Sequence, residues 1–100
     1  MVATTPTISD GLLAAFCQRH SIRALWLFGS VLRDDSSPES DIDVLVEFEA
    51  AREPSLLGFA RMQIELSQAF GREVHLHTPA MLSPRSRDQI RTNTSLRYAA

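Results

Sequence analysis

A chain of 100 residues with 44% hydrophobic content has room for one modest core and no second domain. Ten basic and twelve acidic side chains leave a net charge of −2, which excludes a bulk electrostatic pull toward nucleic acid or an anionic membrane surface. A lone cysteine, Cys17, excludes an internal disulfide framework, and no run approaches the roughly 20 apolar residues that a membrane span needs.

The opening stretch MVATTPTISD has neither the basic nor the apolar part of a secretion signal. A cytoplasmic protein is expected, forming a single domain over residues 1–100 with residues 1–8 as a flexible leader. Ser9 or Asp10 can cap a helix whose apolar positions Leu12, Leu13, Phe16 and Cys17 recur at helical spacing, ending near His20 and Ser21. Ile22 to Phe28 is a short run rich in large apolar residues, which suits a buried central strand, and a short helical turn is expected from Ser30 to Asp34.

Asp34 to Ser40 gathers turn formers without an apolar residue and reads as a solvent-facing loop. From Asp41 to Glu49 the pattern alternates: Ile42, Val44, Val46 and Phe48 point one way, while Asp41, Asp43, Glu47 and Glu49 point the other. The longest helix is predicted from Ser55 to Phe70, with Leu56, Phe59, Met62, Leu66 and Phe70 as its stripe, Leu57 and Ile64 widening it, and Gly71 as its stop. Arg72 to His77 alternates again, with Glu73, His75 and His77 on one face. Ser83 and Pro84 start a last short helix that runs to about Thr92. The order of helices and strands predicts an α/β (α+β) sandwich with a small sheet of about three strands, parallel or mixed, flanked by helices.

Two features carry chemistry. Gly29 and Ser30, at the turn from a strand into a helical segment, can offer backbone N–H groups and a hydroxyl to a phosphate. Asp41 and Asp43 share one strand face, where both carboxylates can reach one hard cation such as Mg²⁺. A Gly-Ser, ten intervening residues, then Asp-x-Asp arises by chance roughly once in a thousand chains of this length, so the pair reads as a metal–triphosphate site.

Gly29, Ser30, Ser40, Asp41, Ile42 and Asp43 resemble the signature of the minimal nucleotidyltransferases of the DNA polymerase β superfamily. The likeness continues through VLVEFE, GREV, HTP and LSPRSRDQIR, and covers roughly Ile22 to Thr92. It implies the nucleotidyltransferase fold, with Gly29, Ser30 and Arg33 binding the triphosphate of ATP and Asp41 and Asp43 ligating Mg²⁺. Such proteins are often antitoxins, which transfer AMP to a tyrosine of a HEPN-domain RNase toxin. The resemblance therefore implies a hetero-oligomer with that toxin and no direct contact with nucleic acid or membrane. Transfer to a small molecule such as an aminoglycoside occurs on the same fold, but would need an acceptor-binding domain.

This sequence departs from the family pattern on its third strand, where His75 stands in place of an aspartate that ligates metal and accepts the proton of the attacking hydroxyl. Imidazole can still act as a base but brings no negative charge to Mg²⁺. Glu73 shares the face of His75, yet two residues along a strand, roughly 7 Å, set it toward the wrong end. A third ligand for a transition metal beside His75 and His77 is not evident from the spacing. The loop from Asp34 to Glu39 is also acidic, whereas many relatives carry an arginine near Ser37. The alternative function is accordingly a weakened enzyme that neutralises its toxin by forming a complex.

Overall fold

A computed structural model describes residues 8–32 and 41–100. The first helix, α1 (Asp10–Arg19), starts at Ser9, whose hydroxyl accepts a hydrogen bond from the Leu12 backbone N–H at 3.1 Å, satisfying one of the amides that a helix start leaves unpaired. It buries Leu13, Phe16 and Cys17, while Leu12 faces solvent. Strand β1 (Ile22–Phe28) follows directly and leads into a 3₁₀ turn at Gly29–Leu32, one residue earlier than the turn predicted from Ser30.

Strand β2 (Ile42–Phe48) leads through a turn to α2 (Leu56–Phe70), capped at one end by the Ser55 hydroxyl and at the other by Gly71 in the left-handed conformation. Strand β3 (Val74–His77), a 3₁₀ turn at Pro79–Met81 and helix α3 (Pro84–Thr92) come next. The Ser83 hydroxyl caps α3 by accepting from the Ser86 N–H at 3.1 Å, and Pro84 occupies the first turn, where a missing N–H costs nothing.

One further element corrects the expected strand count. Residues Thr94–Ala99 form strand β4, pairing antiparallel with β1, so the sheet among the described residues has four strands in the order β3-β2-β1-β4. The sheet is mixed: β1 pairs antiparallel with β2, and β2 pairs parallel with β3. This is the mixed α/β arrangement of helices and a small sheet that the sequence pattern anticipates.

The register sorts side chains onto two faces. Leu27, Val44 and Leu76 form one cross-strand row, and with Leu25, Ile42, Val46 and Val74 they make the core face. Against it pack Leu13, Phe16 and Cys17 of α1 and Met62 and Leu66 of α2. Each such side chain, fully withdrawn from water, contributes about 1.5–3 kcal/mol before conformational entropy is counted. The predicted stripe of α2 is narrower than its apolar sequence: Phe59 and Phe70 flank the core, but Leu56, Leu57 and Ile64 are 88%, 63% and 58% exposed.

Helix α2 also serves the outer edge of β3. The Val74 N–H donates to Ser67 Oγ at 3.0 Å and the Leu76 N–H to Gln63 Oε1 at 2.8 Å, so two amides that face away from β2 are satisfied by side chains. None of the described helices is long and apolar enough to cross a membrane.

Candidate functional site

The second sheet face carries the polar chemistry. Phe28, Asp43 and His75 occupy one cross-strand row, and Trp26, Leu45 and His77 the next. Asp41 lies one residue before β2, and the Ile42 N–H donates to the Glu73 carbonyl at 2.9 Å, which brings the Glu73 and Asp41 backbones alongside. Parallel pairing thus sets Asp41 and Asp43 beside Glu73, His75 and His77.

Each histidine leans back toward the aspartate that precedes its row. His75 Nε2 lies 3.0 Å from Asp41 Oδ2 and 3.4 Å from Glu73 Oε2. His77 Nε2 lies 3.2 Å from Asp43 Oδ1, and its ring stands edge-on to Phe28 with centroids 5.2 Å apart. An ionised carboxylate only accepts hydrogen bonds, so both imidazoles are assigned as Nε2–H donors, which leaves Nδ1 as the free acceptor of each neutral ring.

The two clusters differ in exposure. Asp43 and His77 are an inner pair, with side chains 26% and 23% exposed. Asp41, Glu73 and His75 are an outer group, with side chains 56%, 68% and 40% exposed. The outer group has one ligand atom from each residue within 4.8 Å of the others, and among the described residues it is the grouping that could hold one metal ion. Its donors are two carboxylates and an imidazole, which is chemistry that suits a divalent cation. Glu73, set aside on distance along its own strand, therefore joins the site through its neighbour in the sheet.

Gly29 has a role that the sequence does not reveal. Its φ is +85°, a conformation that L side chains rarely adopt, and a Cβ there would stand 3.0 Å from Asp43 Oδ2 and 3.5 Å from Gln89 Oε1. Absence of a side chain makes room for the Asp43 carboxylate. The Gly29 N–H donates to the Asn93 carbonyl at 3.3 Å, so this amide, expected to be open to phosphate, is already engaged with the segment joining α3 to β4. Arg33, Ser40, the acidic loop and the side chain of Ser30 lie outside the described residues.

A cleft of about 610 Å³ bordered by Arg23, Glu47, Phe48, Glu53 and Pro79 lies toward the other end of β2 and includes none of the candidate residues. Its walls offer one guanidinium and two carboxylates. The exposed group around Asp41 is by contrast an open face.

Residues 9–96 match the family model of the nucleotidyltransferase domain. A Methanocaldococcus jannaschii protein provisionally named a protein adenylyltransferase is 36% identical over 72% of this chain and 75% of its own length. Among solved structures, one provisionally described as a minimal nucleotidyltransferase is 34% identical, covers 85% of each chain and superposes with a TM-score of 0.63. A chain from a structure of the tri-AMPylated Shewanella oneidensis HEPN toxin in complex with MNT antitoxin superposes with a TM-score of 0.61 over 91% of this chain and 70% of its own. At 17% identity that likeness shows the fold alone.

Proposed function

The chain belongs to the minimal nucleotidyltransferases, and from that premise we propose that it is an antitoxin that transfers AMP from ATP to a tyrosine of a HEPN-domain RNase toxin. The observation that carries this reading is the convergence of Asp41, Asp43 and His75 on one sheet face beside Gly29. The HEPN toxin complex with AMP-modified toxin supports the choice of partner and of transferred group.

Asp41 and Asp43 are the residues that would hold Mg²⁺, which when bound neutralises phosphate charge and aligns the triphosphate. Ser30 and Arg33 are assigned to the triphosphate, while Gly29, its N–H held by the Asn93 carbonyl, supplies the side-chain-free turn beside Asp43. In the transfer, the tyrosine oxygen forms a bond to the α-phosphorus, the bond from that phosphorus to the bridging oxygen of the β-phosphate breaks, and pyrophosphate leaves with the electron pair. The phenolic proton goes to a base. His75 is suited to that task because Asp41 holds its Nε2–H, which orients the ring and leaves Nδ1 free to accept. A carboxylate that fixes the tautomer of an imidazole base is the same division of labour found in hydrolytic triads.

The second reading is a binding antitoxin, favoured by the histidine in the position of the third carboxylate. Intact-mass spectrometry of a HEPN partner after incubation with this protein, Mg²⁺ and ATP separates the two. A gain in whole AMP units that Asp43→Asn abolishes supports transfer. An unchanged mass from two proteins that still copurify establishes neutralisation by complex formation.

A further inference from the structure

The family implies a divalent cation held by Asp41 and Asp43, and beside that pair stands a second donor set, Asp41, Glu73 and His75, which is not the all-oxygen set that Mg²⁺ prefers. We propose that Asp41, Glu73 and His75 form a cation site selective for nitrogen-accepting divalent metals such as Co²⁺, Mn²⁺ or Zn²⁺ over Mg²⁺, and that it binds them without nucleotide.

The geometry supports this in three steps. First, Asp41 and Glu73 each lie one residue before one of two parallel-paired strands and are held alongside by the Ile42 N–H to Glu73 carbonyl bond, and His75 lies within β3, so the sheet's register brings the three together. Second, metal–ligand bonds of about 2.0–2.2 Å place neighbouring ligands roughly 2.9–3.5 Å apart around a tetrahedral or octahedral ion. The His75–Asp41 and His75–Glu73 contacts, 3.0 and 3.4 Å, already fall on two such edges. Only the third edge, within 4.8 Å, has to close, and both carboxylates are exposed enough to turn.

Third, the hydrogen on His75 Nε2 sits between two carboxylates. A cation that takes its place moves the remaining ring hydrogen to Nδ1 and gains a nitrogen ligand and two negatively charged oxygens. Imidazole raises affinity along the order Mn²⁺, Co²⁺, Zn²⁺ much more than for Mg²⁺, which dehydrates reluctantly and favours oxygen. Asp43 stands apart from this group, its Oδ1 facing His77. The claim concerns the nucleotide-free protein: while a cation holds Nε2, Nδ1 carries the ring hydrogen and His75 does not serve as the base proposed above.

Titration of the untagged full chain with Co²⁺, in the absence of nucleotide and partner, follows the visible absorption of the bound ion. One equivalent should bind at least a hundredfold more tightly than Mg²⁺ measured by competition. Glu73→Gln and His75→Ala should each weaken Co²⁺ tenfold or more, Glu47→Gln, toward the other end of β2, should leave it within threefold, and His75→Asp should shift the preference toward Mg²⁺. All three positions are on the polar face, so circular dichroism is expected to show unchanged folding. Equal affinity for Mg²⁺ and Co²⁺, absence of binding at millimolar Co²⁺, or an undiminished Glu73→Gln variant would each overturn the proposal. Failure of AMP transfer would leave every one of these readings intact, so the two proposals fail separately.

Discussion

Gly29→Ala should damage both the fold and the Asp43 position, by amounts that a pair of glycines in this chain can separate. At Gly71, also left-handed with φ +69°, an added Cβ would meet nothing within 4 Å, so Gly71→Ala measures the backbone penalty alone, about 1–2 kcal/mol. At Gly29 the same penalty applies, and the new methyl would press to 3.0 Å on Asp43 Oδ2. The carboxylate has to rotate, which strains its contact with His77, 3.2 Å away on the other oxygen. A partly exposed contact of this kind contributes about 1 kcal/mol or less. Gly29→Ala should therefore cost about 2–3 kcal/mol, roughly 1 more than Gly71→Ala. Urea unfolding reads the difference, worth about 4–8 °C in Tm for a domain of this size. The His77 ring signals in NMR should move in Gly29→Ala and stay put in Gly71→Ala. Equal stability losses with an undisturbed His77 would refute the placement of Asp43 against Gly29.

Burial pushes the Cys17 thiol up to about 12 from 9.0, so the folded state retains a proton that the unfolded chain gives up. The resulting stability is complete below about pH 9 and disappears as pH rises through 12, a window left clear of lysine because the chain contains none. Urea unfolding between pH 8 and 10.5 should thus show a decline that Cys17→Ala flattens by up to about 1.4 kcal/mol per pH unit, and a parallel decline in both proteins would contradict the assignment. On the surface between α1 and α2, the carboxylate of Glu65 accepts hydrogen bonds from Arg19 and, at 3.1 Å, from His20. The Arg19 contact holds the Glu65 carboxyl below its ordinary value, so its contribution is present above about pH 4.3 and is lost as pH falls through the lower folded value. Glu65→Gln should cost less than about 1 kcal/mol at pH 7, a loss that disappears in high salt or in strong acid; a larger loss that persists in salt would mean packing rather than charge.

Much of this architecture is legible without coordinates because its signals are periodic. The alternation of Ile42, Val44 and Val46 against Asp41 and Asp43 marks both the strand and its two faces, and all three apolar residues are fully buried. Strand β4 lacks that signal: it is an edge strand whose Leu96 is 56% exposed, and only Asn93 separates it from α3. The expected width of α2 failed for a related reason, since helical spacing records which residues could face a core but not how much core a four-stranded sheet can offer. Glu73 was misplaced by measuring along β3 alone. Parallel pairing supplies a second coordinate, and across the sheet Glu73 lies beside Asp41, closer than any distance along its own strand would suggest. Likewise, alternation puts His75 and His77 on a face but is silent about their partners, because strand direction and register are tertiary facts.

The side-chain hydrogen bonds beneath β3 have a consequence for fidelity. Four residues of helix advance about 6 Å, and two residues of strand about 6.6 Å, so Gln63 and Ser67 work like two marks on a gauge against the amides of Leu76 and Val74. A slip of β3 by one residue would miss both marks. It would also rotate His75, His77 and Glu73 into the core and present Val74 and Leu76 to the aspartates. Two uncharged side chains of α2, acting through backbone amides on the far edge of β3, thereby help decide which chemistry faces Asp41 and Asp43.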